Sequence, residues 1–369
     1  MKIVFLSHAS LGMGFVVGSH QLAKALITGG HNVFHISSPV SVLHVFLGKQ
    51  RRQKFFYALK NRTVKHSVFG FADYIPICLA PMGYAKWLDV MNNWLIDAQI
   101  KRHIGQESTD MVLIDQPQLF NALDLFTNAT KIYRPTDLYS EMGGRKFASP
   151  EVKAIERCQG IVATSSQVFK HIKTITNKPG VIVTNGVDYD LFSEPKEQTR
   201  FNKCIYVGAI DFRFDLETAL ILANKNPEIV FDYYGPVAIE LNTEMPENLI
   251  FHGSIDYAQI PTLLTQYKYS VIPMNDHKSN DGRSPMKLYE FLAAGIPVLS
   301  RKTISINSEV KPGVLLYENK HDVQTKFIEL KALSQQYDVD EFKLIASKQS
   351  WKEKAQVILD FRQGLRHEF

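Results

Sequence analysis

Residues 280–299, NDGRSPMKLYEFLAAGIPVL, have the local sequence of a loop, a helix, a tight stop and a buried strand. Ser284 can cap the helix, and Pro285 suits its first position. Gly295 is the residue type that favours the position just beyond a helix, and Pro297 then opens an apolar strand. One face of the helix is apolar, since Leu288, Phe291 and Leu292 recur at i, i+3 and i+4.

A second face of this helix carries two opposite charges near its start. Lys287 and Glu290 are three residues apart, and the first turn of a helix attracts phosphate through free N–H groups and the positive end of its dipole. Lys287 adds a cation there, and Glu290 can accept hydrogen bonds from a ribose diol. The pair therefore suits a nucleotide diphosphate. The same spacing also predicts an ion pair on a solvated face, worth roughly 0.2–0.5 kcal/mol.

The totals predict two domains in a reducing compartment. A chain of 369 residues is too long for one ordinary hydrophobic core. No apolar run reaches the ~18 residues of a spanning helix. Residues 1–7 contain an apolar run that is too short for a signal peptide and is interpreted as a first strand. Cys78, Cys158 and Cys204 are scattered without a CxxC pair, which argues against a disulfide framework and against a zinc site.

Positive charge is concentrated near the N-terminus. Nine of the 42 basic residues and none of the 37 acidic residues precede Asp73. Basic residues interleaved with aromatic ones suit the surface of an anionic membrane. No nucleic-acid motif accompanies the patch, so no nucleic-acid partner is expected, and a solvated basic helix is the alternative. The predicted membrane-binding residues are Arg51, Arg52, Lys54, Phe55 and Phe56.

Residues 74–96 are rich in aromatic side chains and methionine. Such residues at helical spacing are typical of a core, and we predict core packing here. Their position next to the basic segment leaves contact with lipid or with an apolar acceptor as the alternative. The residues concerned are Tyr74, Tyr84, Trp87, Trp94, Met82 and Met91.

The first half alternates strand and helix, which predicts a parallel sheet. The loop after the first strand contains Gly12, Gly14 and Gly18, but the third glycine of a GxGxxG motif is replaced by Val17. The second strand also lacks the acidic residue that holds ribose, so a dehydrogenase is excluded. Small residues still allow a ligand to approach the backbone, and Gly12 and Gly14 are assigned to an acceptor-side loop. The predicted strands are Ile3–Ser7, Val33–Ile36, Met111–Asp115, Lys131–Arg134, Ile161–Thr164 and Val181–Thr184.

Asp137 follows the predicted strand Lys131–Arg134. Ligands of open α/β sheets bind outside the carboxyl ends of strands, so Asp137 occupies the position of a catalytic carboxylate. A general base there could take the proton of an attacking hydroxyl group. Asp137 could instead cap the next helix.

The second half repeats the same plan after a polar linker at residues 193–202. Arg213 lies in a loop after a predicted strand, where a guanidinium can bind phosphate bidentately, or it can pair with Asp211. Tyr234 and His252 end further strands, where a planar base could stack or form hydrogen bonds, although His252 also suits a structural role. The predicted strands are Cys204–Val207, Glu228–Tyr234, Leu249–His252, Tyr269–Met274 and Pro297–Leu299.

Three motifs in this order resemble glycosyltransferases of the GT-B fold, and in particular the family-4-like enzymes. Asn185–Phe192 resembles the end of their acceptor domain, Gly208–Asp215 their first donor-domain loop, and Ser284–Val298 their donor-binding helix and strand. The resemblance covers essentially the whole chain. It implies an α/β protein with two Rossmann-like domains facing a central cleft. The implied segments are an acceptor domain at 1–192, a linker at 193–202, a donor domain at 203–340 and a C-terminal helix at 341–369 that packs back across the domains.

One position departs from the retaining members, which carry two glutamates eight residues apart. Glu290 matches the second glutamate, but Gly282 stands at the first. The run Met286–Leu288 instead resembles the xanthan-type glucuronosyltransferase group, whose members are inverting, metal-independent and bound to the membrane surface. This resemblance implies that Asp137 is the base, with Lys287 on the diphosphate and Glu290 on the ribose. The donor-binding set also includes Met286, Ser284, Arg283, Arg213, Tyr234 and His252.

The resulting expectation is an inverting, metal-independent glycosyltransferase that needs no cofactor. Its donor would be UDP-linked, with glucuronic acid as the sugar that the resemblance suggests. Its acceptor would be a lipid-linked saccharide in capsule, exopolysaccharide or lipopolysaccharide assembly, at the cytoplasmic face of the inner membrane. The alternatives are a retaining family-4-like enzyme and a non-catalytic relative that binds nucleotide or lipid. A sugar-phosphate epimerase is disfavoured because the chain lacks a paired carboxylate set.

Overall fold

The structure is a computed structural model, and its contacts divide the chain into two compact units. The first unit comprises Met1–Thr184 together with Ala355–Phe369, and the second comprises Asn185–Lys354. The structure describes residues 1–10, 16–60, 63–65, 70–82, 85–105, 108–143, 145–194, 200–241, 244–307, 312–334 and 338–367.

The first unit is built on an eight-stranded sheet whose order is β10-β9-β8-β7-β1-β2-β5-β4. All neighbours run parallel except β4 and β5. Two further strands, β3 and β6, form a separate parallel ribbon. The strands are β1 (Lys2–Leu6), β2 (Asn32–Ile36), β3 (Val40–Ser41), β4 (Thr63–Lys65), β5 (Ala72–Tyr74), β6 (Ile77–Cys78), β7 (Met111–Ile114), β8 (Thr130–Tyr133), β9 (Gly160–Ala163) and β10 (Gly180–Ile182).

Helices connect these strands. They are α1 (Gly18–Thr28), α2 (Lys49–Lys60), α3 (Lys86–Ile104), α4 (Tyr139–Gly143), α5 (Arg145–Arg157) and α6 (Ser166–Lys173), with 3₁₀ segments at Val42–Phe46 and Pro117–Leu125. Every residue of β1, β7 and β9 is buried. Strands that are covered on both faces need continuous apolar runs. The sequence therefore predicts all three of these strands.

The strand order of the first sheet reverses next to β1. The chain runs from β1 to β2 on one side and later returns to place β7 on the other side. A reversal of this kind opens a crevice at the carboxyl ends of the two strands. The crevice where β1 and β7 end is therefore the part of the first sheet that suits a ligand.

The second unit is a six-stranded, all-parallel sheet whose order is β13-β12-β11-β14-β15-β16. Its order reverses between β11 and β14. The strands are β11 (Phe201–Val207), β12 (Val230–Tyr234), β13 (Leu249–Gly253), β14 (Tyr267–Ile272), β15 (Val298–Arg301) and β16 (Val314–Tyr317).

The remaining helices follow from Tyr189 onward. They are α7 (Tyr189–Ser193), α8 (Leu216–Lys225), α9 (Ile260–Leu264), α10 (Met286–Ala293), α11 (Ile304–Asn307), α12 (Val323–Leu333), α13 (Val339–Ser347) and α14 (Trp351–His367), with 3₁₀ segments at Tyr257–Gln259 and Lys278–Gly282. Gly295 has φ +71° just beyond α10, which confirms the predicted helix stop. Among the described residues, no helix is both long enough and apolar enough to span a membrane.

The unit boundary falls earlier than the predicted domain end at 192. The N–H of Asn185 donates to Ser284 Oγ at 3.0 Å, and the N–H of Val187 donates to the carbonyl oxygen of Gln349 at 2.9 Å. These bonds tie the segment after Thr184 to the second unit. At the other end of the chain, α14 supplies residues to both units, because its residues from Ala355 onward belong to the first unit.

The edge of the first sheet differs from the sequence-based expectation. No strand is predicted within residues 39–62, which contain β3, a 3₁₀ segment and α2. Strands β3, β4, β5, β6 and β16 were not predicted. Most of these strands have two or three residues, which is too short for hydrophobic periodicity to be recognised.

Candidate functional site

Two loops meet where the strand order of the second sheet reverses. The loop after β11 contains Arg213, and the loop after β14 contains Asn275 and Asn280. The carbonyl oxygen of Arg213 accepts hydrogen bonds from the N–H of Asn275 at 3.0 Å and from Nδ2 of Asn280 at 3.1 Å. The N–H of Asp215 also donates to the carbonyl oxygen of Pro273 at 3.1 Å. The backbone at this crevice is therefore held in one arrangement.

Two glycines allow the ends of β11 and β12 to approach closely. Gly235 has φ +146°, a conformation that side-chain-bearing residues rarely adopt. A β-carbon on Gly235 would lie 1.8 Å from the carbonyl oxygen of Gly208. Only glycine fits at this point of the rim.

Arg213 pairs with Asp211 at the same edge. Its Nη2 lies 2.7 Å from Asp211 Oδ2, and its Nε donates to both carboxylate oxygens at 3.2 Å. Burial raises the pKa of Asp211, but the hydrogen bonds and charge of Arg213 outweigh burial and hold this pKa below its ordinary value. The ion pair predicted as the alternative role of Arg213 is present. It lies at the edge where the strand order of the second sheet reverses.

A second guanidinium, Arg283, lies close enough to act on the same groups. Burial raises the pKa of the Tyr206 hydroxyl, and the charges of Arg283 and Arg213 oppose that rise. The charge of Arg283 also contributes to the lowered pKa of Asp211. The edge thus combines two guanidinium groups with one carboxylate.

Helix α10 starts without a side-chain cap, so the predicted capping role of Ser284 is wrong. The residue before the helix is Pro285, which has an extended backbone and makes no capping bond. Ser284 lies one residue too early and is bound elsewhere. Its Oγ accepts the N–H of Asn185 at 3.0 Å, and its carbonyl oxygen accepts Nδ2 of Asn185 at 2.7 Å. The polar partners of Ser284 therefore come from a residue 99 positions away.

The predicted pair on α10 forms, but in a buried setting. Lys287 Nζ lies 2.9 Å from Glu290 Oε2, and the Tyr257 hydroxyl donates to Glu290 Oε1 at 3.1 Å. The side chain of Glu290 is 1% exposed and that of Lys287 is 19% exposed. Lys287 Nζ also lies 5.7 Å from the centre of the Tyr257 ring. The solvated-face interpretation is therefore wrong, and Glu290 holds the ammonium group in one position.

Met286, the first residue of α10, is buried. Its predicted contact with a donor stays a prediction. Its burial fits the surroundings of α10, in which every residue except Lys287 is buried.

Tyr234 and His252 lie against each other, and a buried carboxylate binds His252. Their rings stack at 4.3 Å between centroids with an interplanar angle of 7°. His252 Nε2 lies 2.6 Å from Asp232 Oδ1, and Tyr267 donates to Asp232 Oδ2 at 2.8 Å. Lys203 adds a cation 3.3 Å from the same oxygen. Contacts within the second unit thus account for both rings, and their binding of a base stays a prediction.

The first unit has a different set of groups at its own crevice. Asp115 follows β7, Arg134 follows β8, and His8 lies two residues after the end of β1. Asp115 is fully buried, with Arg134 Nη1 3.2 Å from its Oδ2. Its Oδ1 accepts no hydrogen bond from the described residues. Burial raises the pKa of Asp115, and the charges of Arg134 and His8 oppose that rise.

His8 and Asp115 were not selected from the sequence as functional residues. Neither belongs to a motif, and they are separated by more than a hundred residues. They come together because β1 and β7 are neighbours at the reversal of strand order. A signal was available, since His8 directly follows the predicted strand Ile3–Ser7 and Asp115 is the last residue of the predicted strand Met111–Asp115. Only a prediction of the strand order would have shown that these two residues lie close together.

Asp137 is half-buried in the loop after β8. The Thr136 hydroxyl oxygen lies 3.4 Å from Asp137 Oδ2 and 2.9 Å from the Tyr139 hydroxyl oxygen. Tyr139 in turn donates to the carbonyl oxygen of Asp115 at 2.7 Å. Asp137 is therefore linked to the end of β7 through two hydroxyl groups. Helix α4 begins at Tyr139, so the residue directly before it is Leu138 and not Asp137.

The predicted membrane-binding residues divide into three groups. Phe55 is buried with Val40, Ala58 and Ile75 in a small core, so its predicted exposure is wrong. Arg52 and Phe56 are exposed on α2. The side chains of Arg51 and Lys54 lie outside what the structure describes, and so do both predicted acceptor-loop glycines, Gly12 and Gly14.

The predicted core packing of residues 74–96 is correct for Tyr74 and wrong for both tryptophans. Tyr74 is buried, whereas Trp87 is 66% exposed and Trp94 is 70% exposed. Tyr84 lies outside the described residues. The reason lies in α3, whose buried stripe begins later and repeats every four residues. That stripe consists of Asn92, Ile96, Ile100 and Ile104.

Among the described residues, one group of His, Cys, Asp or Glu side chains is compact enough to hold a metal ion: His20, His35 and Asp73. All three are fully buried. His35 Nδ1 lies 2.8 Å from Asp73 Oδ1, and the Ser37 hydroxyl donates to both oxygens of that carboxylate. Hydrogen bonds within the first unit thus account for the group.

The sequence of the chain was compared with known proteins. No protein-family model matches the chain. A protein of Bacillus subtilis (strain 168), named as a teichuronic acid biosynthesis glycosyltransferase, TuaH, is 28% identical over 222 residues, which are 56% of this chain and 55% of that protein. The chain thus matches about half the length of this curated relative.

Solved structures resemble the chain over its whole length. Sucrose-phosphate synthase from Thermosynechococcus elongatus matches with a TM-score of 0.72 at 13% identity, covering 100% of both chains. Anabaena HepE in complex with UDP and glucose matches with a TM-score of 0.68 at 12% identity, covering 99% of this chain and 100% of that one. The predicted fold is confirmed: the chain has the GT-B arrangement of two α/β units with parallel sheets.

Proposed function

We propose that this protein is a glycosyltransferase that uses a UDP-linked sugar and transfers it with inversion to a lipid-linked saccharide in bacterial surface polysaccharide assembly. The Bacillus subtilis relative is named for teichuronic acid biosynthesis, and solved structures of HepE contain UDP and UDP-glucose. The observation that carries the proposal is the cationic edge of the second sheet. There Arg213, Arg283 and Lys287 accompany the start of α10.

The cationic edge would hold the diphosphate of the donor. The uncapped first turn of α10 offers backbone N–H groups and the positive end of a helix dipole. Lys287, held by Glu290, supplies an ammonium group, and Arg213 and Arg283 supply guanidinium groups that suit phosphate oxygens. We propose that these cations stabilise the departing UDP in the role that a metal ion has in other enzymes. Glucuronic acid is the sugar proposed, because a carboxylate also suits an arginine-rich edge.

Asp137 would act as the base. As the acceptor hydroxyl oxygen bonds to the anomeric carbon, its proton passes to Asp137, and the bond from that carbon to the diphosphate oxygen breaks. Attack opposite the leaving group inverts the anomeric configuration. Position 282, where retaining relatives would carry a first glutamate, is a buried glycine in a 3₁₀ segment. This absence of a carboxylate favours inversion over the retaining alternative.

A lipid-linked acceptor would bring the enzyme to the cytoplasmic surface of the inner membrane. We propose a peripheral association, with no cofactor besides the nucleotide-sugar co-substrate. A non-catalytic relative that binds nucleotide or lipid is the remaining alternative. It would bind UDP without turnover, and it would be indifferent to substitution of Asp137.

Isothermal titration of UDP in the presence of EDTA tests the donor site. Wild type should bind UDP with micromolar affinity, and Lys287→Ala should weaken binding by about 10–100-fold, because it removes a charge-assisted contact worth roughly 1.5–3 kcal/mol. The matched control is Lys326→Ala, which removes a lysine from an i,i+3 pair with Glu329 on an exposed helix face. The control should bind UDP like wild type.

Two outcomes would contradict the proposal. Absence of UDP binding by wild type would remove the basis for the donor site. Binding that needs an added divalent ion would overturn the metal-independent mechanism while leaving the nucleotide. The anomeric configuration of the product, measured by NMR, separates inversion from retention.

A further inference from the structure

Helix α3 carries an apolar face that the first unit does not cover. One side of the helix is buried through the stripe from Asn92 to Ile104. The opposite side presents large apolar side chains at i, i+3, i+4 and i+7, so that they form a single ridge. Contiguous exposed apolar surface marks an interaction site. The ridge consists of Trp87, Val90, Met91 and Trp94, and each of these residues is 46–70% exposed.

The ridge is flanked by positive charge. The other exposed residues of α3 are Lys86, Ala98, Lys101 and Arg102, which include three cations and no acid. The two acidic residues of the helix, Asp89 and Asp97, are half-buried. The exposed side of α3 is therefore apolar in its middle and positive at both ends.

Helix α2 presents a surface of the same kind. Its exposed residues include Arg52, Phe56, Leu59 and Lys60, and no acidic residue occurs anywhere before Asp73. Helix α2 packs against β3 and α3 packs against β6, and these two strands pair with each other. The two helices thus flank one ribbon of the first unit. We call the exposed residues of α2 and α3 the docking face.

Building on the lipid-linked acceptor proposed above, we propose that the docking face seats the protein on an anionic lipid bilayer. Helix α3 would lie in the plane of the interface with Trp87 and Trp94 at the level of the headgroups. Tryptophan prefers this level because its ring is apolar and its N–H is polar. Lysine and arginine can extend from a buried stem toward anionic headgroups.

The charge and the apolar side chains of the docking face argue against two other partners, a second copy of the chain and a nucleic acid. A second copy of the chain, related by a two-fold axis, would bring the same patch against itself. Cations would then oppose cations, because the exposed side of α3 has no acidic residue. A nucleic acid would satisfy the charges, but its backbone offers no apolar surface to cover Val90 and Met91. An anionic bilayer provides both the negative surface and the apolar interior.

The tryptophans themselves provide the first test. The chain contains three tryptophans, and the third, Trp351, is buried. A change of emission upon mixing with lipid therefore reports on α3. With vesicles of phosphatidylcholine and phosphatidylglycerol, the emission of the full-length protein should shift to shorter wavelength and be quenched by brominated acyl chains. Vesicles of phosphatidylcholine alone should give a much smaller effect. Absence of shift and quenching with anionic vesicles would overturn the proposal.

Substituted variants test whether the docking face is the surface that binds the vesicles. In flotation with the same anionic vesicles, Trp87→Ser combined with Trp94→Ser should lower the partition coefficient by at least about tenfold, since two interfacial anchors are lost. Lys101→Gln combined with Arg102→Gln should lower it by roughly fivefold per charge, and added salt should abolish the difference. The control, Phe201→Ser combined with Leu344→Ser, removes two exposed apolar residues of the second unit and should float like wild type.

The results of the flotation experiments distinguish a lipid bilayer from a second copy of the chain as the partner of the docking face. Unchanged flotation of the tryptophan variant would overturn the proposal. An oligomer that the tryptophan variant loses, with no flotation of either protein, would assign the face to a second copy instead. If the tryptophan variant is unstable by thermal denaturation, the charge variant and the quenching of wild type still decide. UDP titration of the same variants is independent of this test, so loss of flotation with intact UDP binding leaves the donor site standing, and the reverse result leaves the docking face standing.

Discussion

The two sheets of this protein end in edges of opposite character. At the reversal of the second sheet, three cations, Arg213, Arg283 and Lys287, accompany the ion-paired carboxylates of the same edge. At the reversal of the first sheet, Asp115 is buried with its pKa raised, and Asp137 stands half-buried beside it in the next loop. The second edge suits the binding of phosphate, and the first suits the transfer of a proton.

This difference explains how two units with the same strand-and-helix architecture can have different chemical roles in one chain. Both edges are crevices at the carboxyl ends of parallel strands, so the backbone alone does not distinguish them. The side chains that follow each strand assign the chemistry. The comparison makes a clear prediction, namely that substitutions at one edge should change binding of the nucleotide and substitutions at the other should change the chemical step.

The largest expected effect is on the first edge. Asp137→Asn should lower kcat by about 10²–10⁴-fold, because the base can no longer accept the proton of the attacking hydroxyl. The dissociation constant for UDP should stay unchanged. Transfer assays with UDP-sugars and titration of UDP measure the two quantities separately.

Asp124→Asn is the matched control for this substitution, because Asp124 is an exposed aspartate of the same unit. It should retain wild-type kcat. Substantial activity of Asp137→Asn would favour the retaining mechanism. If Asp137→Asn weakened UDP binding as much as it lowered kcat, the proposal that one edge binds the nucleotide and the other transfers the proton would be contradicted.

The next effect tests the backbone of the second edge. Gly235→Ala should destabilise the protein by at least ~3 kcal/mol, because the new β-carbon meets Gly208 and the residue is held at positive φ. UDP affinity should fall with it. Thermal denaturation with and without UDP is the measurement.

Gly364→Ala is the control substitution, because a β-carbon at that position of α14 would meet no atom within 4 Å apart from its chain neighbours and the backbone of its own helix. It should stabilise the helix by about 0.5–1 kcal/mol. A Gly235→Ala protein as stable as wild type would show that the rim of the second sheet can move apart to accommodate a side chain.

The smallest effect concerns the ion pair at the second edge. The pKa of Asp211 is lowered in the folded protein, so this carboxylate adds stability above its unfolded pKa of ~3.9. That stability is lost as the pH falls through the lower folded value. Asp211→Asn should therefore cost about 1 kcal/mol at pH 7.

Urea denaturation of wild type and Asp211→Asn across the acidic range tests this sign. The difference in free energy of unfolding should shrink below about pH 4 and vanish under strongly acidic conditions. A difference that grows as the pH falls would mean that the pKa of Asp211 is raised, and that Arg213 is not its main partner.

Much of the second edge was predictable because its chemistry is local. Lys287, Glu290 and Gly295 lie on one short helix and its stop, where spacing along the chain translates directly into neighbourhood in space. Arg213 was found because it follows a strand visible in the sequence. Ser284 was misassigned because a capping bond competes with a partner 99 residues away, and local spacing carries no information about that partner.

The first edge was predictable only in part. Asp137 lies shortly after a strand that the sequence predicts, whereas the roles of His8 and Asp115 depend on which strands are neighbours. The exposure of Trp87 and Trp94 was mispredicted for a related reason. Aromatic spacing predicts a helical face, but the side of the helix that packs inward depends on the rest of the unit.

The amino-acid sequence alone was enough to predict the alternation of strands and helices, the two-part plan and the charged helix of the second unit. These depend on hydrophobic periodicity, turn residues and contacts within a few residues. Folding in three dimensions added the burial of Glu290, the meeting of His8, Asp115 and Arg134, and the uncovered face of α3. Each of these arises from strands or helices that are distant in the chain, and their pairing depends on packing of the whole unit rather than on local preference.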